Sequence, residues 1–144
     1  MKRLSAILLP LILLFSFLFS GCQKADVTPI GFEIVPGTVT PTGLTYRITQ
    51  KNEGWTFGDE FWLEKQDGEA WSPVPRIESE VEIVWNAVAY ALDPGQSKDM
   101  NGGWSMLYGE LEPGHYRIGK RFHRKGSAAT EDITLYAEFD ILEA

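Results

Sequence analysis

The segment Glu131 to Leu142 constrains the fold more than any other part of the chain. Ile133, Leu135, Ala137, Phe139 and Ile141 fall on one side of an extended backbone, and Thr134, Tyr136, Glu138 and Asp140 on the other. A period of two is the pattern of a strand with one buried and one solvated face. Leu44, Tyr46 and Ile48 alternate with Thr45, Arg47 and Thr49 in the same way. Strands of this kind cannot stand alone. They must pair edge to edge and cover their apolar side with a second layer.

The rest of the chain supplies the other strands. Phe32 to Val35 is a short one, closed by Pro36-Gly37. Phe61 to Lys65 and Ala70 to Val74 flank Gln66-Asp67-Gly68-Glu69 as a hairpin. Val81 to Leu92 has two readings: one short helix, from the spacing of Val81, Val84, Trp85, Val88 and Leu92, or two short strands near Ile83–Trp85 and Val88–Leu92. The strands are preferred because β-branched and aromatic residues dominate. Asp93-Pro94-Gly95 and Glu112-Pro113-Gly114 are similar turns, with Pro suited to the second position and Gly to a third of positive φ. They precede strands from Ser97 to about Gly102 and from His115 to Arg124. Short strands separated by turns describe an all-β sandwich or barrel. About seven to nine of them fit an immunoglobulin-like antiparallel β-sandwich over residues 31–144.

The first 30 residues do not belong to that pattern. Lys2 and Arg3 precede an apolar run, Leu4 to Phe19, whose roughly 16 residues fall short of the ~20 that span a bilayer. A charged start, an apolar middle and small residues at the end describe a signal peptide over 1–21. Leu18-Phe19-Ser20-Gly21-Cys22 resembles the lipobox of bacterial lipoproteins, with Phe19 where that motif usually has Leu. The resemblance implies that Cys22 receives diacylglycerol, becomes the first mature residue, and holds the protein at the extracellular face of the cell membrane without spanning it. Residues 22–30 read as a flexible tether.

Cys22 is the chain's one cysteine, so no disulfide and no cysteine metal site is available to the mature domain. Removing Lys2 and Arg3 from the 13 basic residues leaves 11 against 20 acidic ones, a net charge of about −9. That balance argues against nucleic acid as a partner. Neither a Gly-x-Ser-x-Gly elbow nor a Walker or Rossmann glycine loop occurs, so nothing points to an enzyme or to a cofactor.

Side chains that recognise a partner are sought on strand faces and loops. His115, Arg117, Arg121 and His123 share one face of their strand, opposite Tyr116, Ile118 and Phe122. They form either an anion-binding stripe or, the favoured reading, a solvated face paired with acids such as Glu138 and Asp140. The two His lie roughly 26 Å apart along one strand and cannot share a metal ion. Lys120 falls on the apolar side, its stem expected in the core and its amine at an edge. Trp62 and Trp85 sit in strand runs and read as core. Trp104, beside Asn101-Gly102-Gly103, is the best exposed aromatic; it is either part of a ligand surface or, as favoured, a plug over one end of the sandwich. The candidate binding surface is therefore Trp104 and Tyr108 in the Gly102–Gly109 loop, with Arg117 and Arg121 second.

The residues also resemble a known family. Trp71-Ser-Pro-Val-Pro75, Ala89-Tyr-Ala-Leu-Asp-Pro-Gly-Gln-Ser97, Leu107-Tyr-Gly-Glu-Leu-Glu-Pro-Gly-His-Tyr-Arg-Ile118 and Tyr136-Ala-Glu-Phe139 look like a bacterial immunoglobulin-like domain family. Its members are common in lipoproteins and other surface proteins of Gram-positive bacteria. The resemblance implies an extracellular β-sandwich, a non-catalytic module that binds a protein or cell-wall polymer or serves as a spacer; it brings no site residues with it. A looser likeness, in Pro-Gly-x-Ser followed by a Trp and a Pro-Gly-x-Tyr turn, is to a bacterial proteinase-inhibitor family of small β domains, and gives the alternative reading.

Overall fold

The computed structural model describes residues 28–79 and 82–143. The expected leader, Cys22 and most of the expected tether lie outside them. In chain order the elements are β1 (Ile30–Ile34), β2 (Gly43–Gln50), β3 (Trp55–Phe57), β4 (Trp62–Asp67), β5 (Ala70–Pro73), β6 (Tyr90–Ala91), β7 (Ser97–Gly103), the single turn α1 (Ser105–Tyr108), β8 (Gly114–Arg124) and β9 (Ile133–Ile141). Ile30, the last residue of the expected tether, already opens β1 with its side chain buried.

Alternation sets the layers as expected. In β2, Leu44, Tyr46, Ile48 and Gln50 are buried, and the residues between them are half-buried. β2 runs antiparallel between β1 and β7, forming a three-stranded sheet. The other sheet is built on β8, whose 11 residues are long enough to serve several neighbours. β9 pairs along one edge from Gly114↔Ile141 to Phe122↔Ile133. On the other edge β4 pairs with the first half of β8 and β3 with its end, at Trp55↔Arg124. β5 and β6 extend the sheet from β4 and β3.

The core lies between the two inner faces. Tyr46, Phe57, Phe61, Leu63, Ile118, Phe122 and Phe139 are all buried there. Phe32 of β1 meets Tyr46 at 5.4 Å and Phe122 at 6.0 Å, edge to face, in the spacing that aromatic quadrupoles favour. Without a disulfide, this aromatic packing is what joins the sheets. Tyr116, at the start of β8, donates its hydroxyl to the Glu112 carbonyl at 2.8 Å. That bond pins the turn before β8 to the strand, in the manner of the tyrosine corner of immunoglobulin-like sandwiches.

Two local expectations need correction. Between Glu82 and Ala89 no strand forms; only Tyr90–Ala91 pairs, with Phe57 and Thr56 of β3. Ile83 and Trp85 still pack against the core from an irregular segment, Trp85 meeting Phe61 at 5.2 Å. Burial there is met by side chains alone, so strand propensity goes unused. Of the two similar turns, Gly95 has the expected positive φ of 86°, and Gln96 N–H donates to the Asp93 carbonyl at 3.0 Å. Gly114 has no positive φ and starts β8 instead. Its Cβ would come to 3.0 Å of Lys65 Cε, so close approach is the demand on that position.

Candidate functional site

The four residues expected to form a binding surface do not form one. Trp104 is fully buried. Its Nε1 donates to the Pro41 carbonyl at 2.9 Å, and its ring stacks on Phe139 at 5.5 Å. It plugs the end of the sandwich and offers no face to a ligand. Tyr108 is also buried, at the wall of an open groove of about 660 Å³ between the β4–β5 hairpin and the loop after α1. Arg117 and Arg121 are on the opposite, outer face of the larger sheet, by the parity of β8.

That outer face is not a free basic stripe. His115 reaches Asp140 through Nδ1 at 2.6 Å and Glu138 through Nε2 at 2.8 Å. Hydrogen bonds that the protonated ring donates to Asp140 and then to Glu138 hold its pKa above the ordinary value. His123 meets Asp132 at 2.7 Å; Arg124, at the strand end on the other parity, meets Glu131 at 3.4 Å. Arg117 pairs with Glu64 of β4, which lies directly opposite it. Its guanidinium also sits 4.4 Å from the Trp71 ring centre and 3.9 Å from that of Tyr136, so one cation is held between two aromatic rings. The expected pairing with acids on the last strand is what the histidine at 115 makes.

Trp62 is the residue that the sequence reading misplaced. Leu63 is buried and turned to the core, so Trp62, its neighbour in an alternating strand, faces outward. Gly119 is its cross-strand partner. A Cβ at Gly119 would come to 2.7 Å of Cζ2 of the indole and closer still to Cε2 and Nε1. The indole is therefore laid across a strand that has no side chain at that point, and it meets Tyr136 of β9 edge-on at 6.0 Å. Trp71, Arg117, Tyr136 and Trp62 form one continuous row across β5, β8, β9 and β4.

Beside this row is a cleft of about 310 Å³ lined by Glu60, Trp62, Glu64, Pro73 and Arg121. Arg121 differs from the other charged residues of β8, because among the described residues it has neither an ion pair nor a hydrogen bond. The Glu60 carboxylate and the Trp62 Nε1–H likewise make no hydrogen bond or ion pair among the described residues. Arg117 engages Oε2 of Glu64 and leaves Oε1 open.

The cleft is positioned from inside the protein. Lys120 follows Gly119 on β8 and points into the core, fully buried rather than at an edge. Its ammonium donates to the carbonyls of Gly58 at 2.6 Å and Glu60 at 2.9 Å, and stands 5.4 Å from the Tyr46 ring centre. These bonds fix the segment that delivers Glu60 and Trp62 to the outer face. Burial lowers the Lys120 pKa to about 8, against partial support for the charge from Asp59 and Glu60. Among the described residues, no group of three or more His, Cys, Asp and Glu is placed to hold a metal ion, and no helix is long and apolar enough to cross a membrane.

A family model described as bacterial Ig-like domain matches residues 30–140. No curated protein and no solved structure matches the chain.

Proposed function

We propose, from the premise that this chain belongs to the bacterial Ig-like domain family, that it is a non-catalytic surface module tethered by a lipid on Cys22 to the outer face of the cell membrane. The observation that carries the anchoring is the Leu18-Phe19-Ser20-Gly21-Cys22 sequence, where the chain's one cysteine closes the apolar run after two small residues. Two acyl chains on such a cysteine hold a protein stably where one does not.

The geometry of the domain supports this reading. The chain enters β1 at the end of the sandwich where Lys51 N–H donates to the Pro29 carbonyl at 2.9 Å and where β8 finishes against Trp55. The turn α1 and the plug Trp104 close the opposite end. In a domain tethered through Pro29 that opposite end is the one distal to the attachment point, and the outer faces of both sheets lie along its flanks. The side chains of the larger outer face are mostly engaged with one another, which suits a rigid recognition surface or spacer better than a reaction centre.

Metabolic labelling with radioactive palmitate tests the anchor. The wild-type chain is expected to carry label and to fractionate with membranes, and Cys22→Ala to lose both. Label retained by the variant would overturn the reading.

A further inference from the structure

We propose that the cleft between Trp62 and Arg121 binds an uncharged, hydroxyl-rich glycan. This rests on the surface-module reading above and names what such a module would hold. The starting observation is that unused hydrogen-bonding groups converge on a single aromatic wall. The other charged residues of β8 all have partners in the domain, whereas Arg121 has none among the described residues. Arg121, Glu60, Glu64 and Trp62 all line the same space of about 310 Å³. Polar groups placed around an apolar wall are the general make-up of a small-ligand site.

The balance of these groups selects the ligand class. One cation and two carboxylates, set in a domain with a large excess of acids, repel a polyanion. A cationic ligand meets Arg121. A sugar hydroxyl both donates and accepts, so it satisfies carboxylates and guanidinium together, with no charge of its own to desolvate. The C–H face of a pyranose ring is the apolar counterpart that an indole accepts. Gly119 prepares the platform: the missing side chain lets the indole lie across the sheet, where Tyr136 braces its edge. Pro73 supplies further apolar surface at the other wall.

The test is titration of the purified full-length protein, in detergent, with cello-, chito-, xylo- and mannohexaose, and with polygalacturonate as an anionic comparison. At least one neutral hexaose is expected to bind with micromolar to millimolar affinity. Trp62→Ala and Arg121→Ala should each weaken it roughly tenfold or more, about 1.4 kcal/mol, and Trp62→Phe should retain part of it. Arg121 contacts nothing that the fold needs, so its variant separates binding from folding; circular dichroism checks Trp62→Ala. Absence of binding to every neutral hexaose overturns the proposal, as does binding to polygalacturonate alone or binding that Arg121→Ala leaves unchanged. Detergent-solubilised protein binds or fails to bind whether or not Cys22 is acylated. A negative titration with palmitate labelling intact therefore removes the glycan site alone, and lost labelling with binding intact removes only the anchor.

Discussion

The two sheets turn very different outer faces to solvent. On the smaller sheet Arg47 forms a bidentate pair with Asp99 at 2.7 and 2.9 Å, Thr49 meets Ser97 at 2.8 Å, and no aromatic residue takes part. The ion pair and the hydroxyl pair are simple cross-strand contacts of a solvated face. The larger sheet carries Trp62, Trp71 and Tyr136 outward, holds a cation among them, and keeps Gly119 bare beneath an indole. Tyr136 is 41% exposed. The first face presents no aromatic surface. The second retains apolar surface and unspent donors and acceptors in one place, and that difference is the reason to look for recognition there.

The sharpest way to break the comparison is to make the same substitution on both faces. Gly119→Ala puts a methyl group into the Trp62 indole and should cost about 2–3 kcal/mol in urea unfolding, with a shift in tryptophan emission. Gly103→Ala, on the outer face of β7, would meet no atom nearer than Asn101 Oδ1 at 3.5 Å and should be close to neutral. Equal losses would mean that Gly119 is not shaped for the indole. A smaller contrast is expected from the two outward arginines. Arg117→Ala removes the cation from between two rings and leaves Glu64 unpaired, for roughly 1–2 kcal/mol. Arg47→Ala, in an exposed pair, should lose measurably less.

Stability also depends on pH. The Lys120 amine titrates at about 8 in the folded chain and at its ordinary 10.5 when unfolded. Between those values the unfolded chain binds more protons, so stability rises with pH across this window. Burial, with Asp59 and Tyr90 adding to it, raises the Tyr46 pKa above its usual 10. Above pH 10 the unfolded tyrosine ionises first, and stability falls again. Thermal unfolding from pH 7 to 11 should show a maximum near pH 10, and Lys120→Met should remove the rising limb.

Much of the fold was legible because a single strand can declare its own two faces. β2 and β9 did so through strict alternation, and the β4–β5 hairpin through its turn. The site was less legible for a physical reason. Phe61-Trp62-Leu63 is apolar throughout, so it carries no internal sign of which residue faces out. The answer lies in the pairing of Trp62 with Gly119, 57 positions later in the chain. Trp104 had two readings, and the favoured one, a plug over the end of the sandwich, is what the structure shows. Its glycine-rich neighbourhood reads as exposed loop, yet the end of the sandwich needs a lid, and Pro41 supplies a carbonyl for its indole. For Arg117 and Arg121, strand parity placed both residues on one face correctly. What parity does not reveal is that one cation is spent between rings and the other is left unpartnered.

The most direct test of the central claim follows the indole N–H signals of the five tryptophans by two-dimensional NMR during titration with the neutral hexaoses. The Trp62 signal is expected to shift most, Trp71 to follow weakly along the same face, and Trp104, bonded to Pro41 in the core, to stay in place. A Trp62 signal that does not move at saturating sugar, or a largest shift at any other tryptophan, would contradict it.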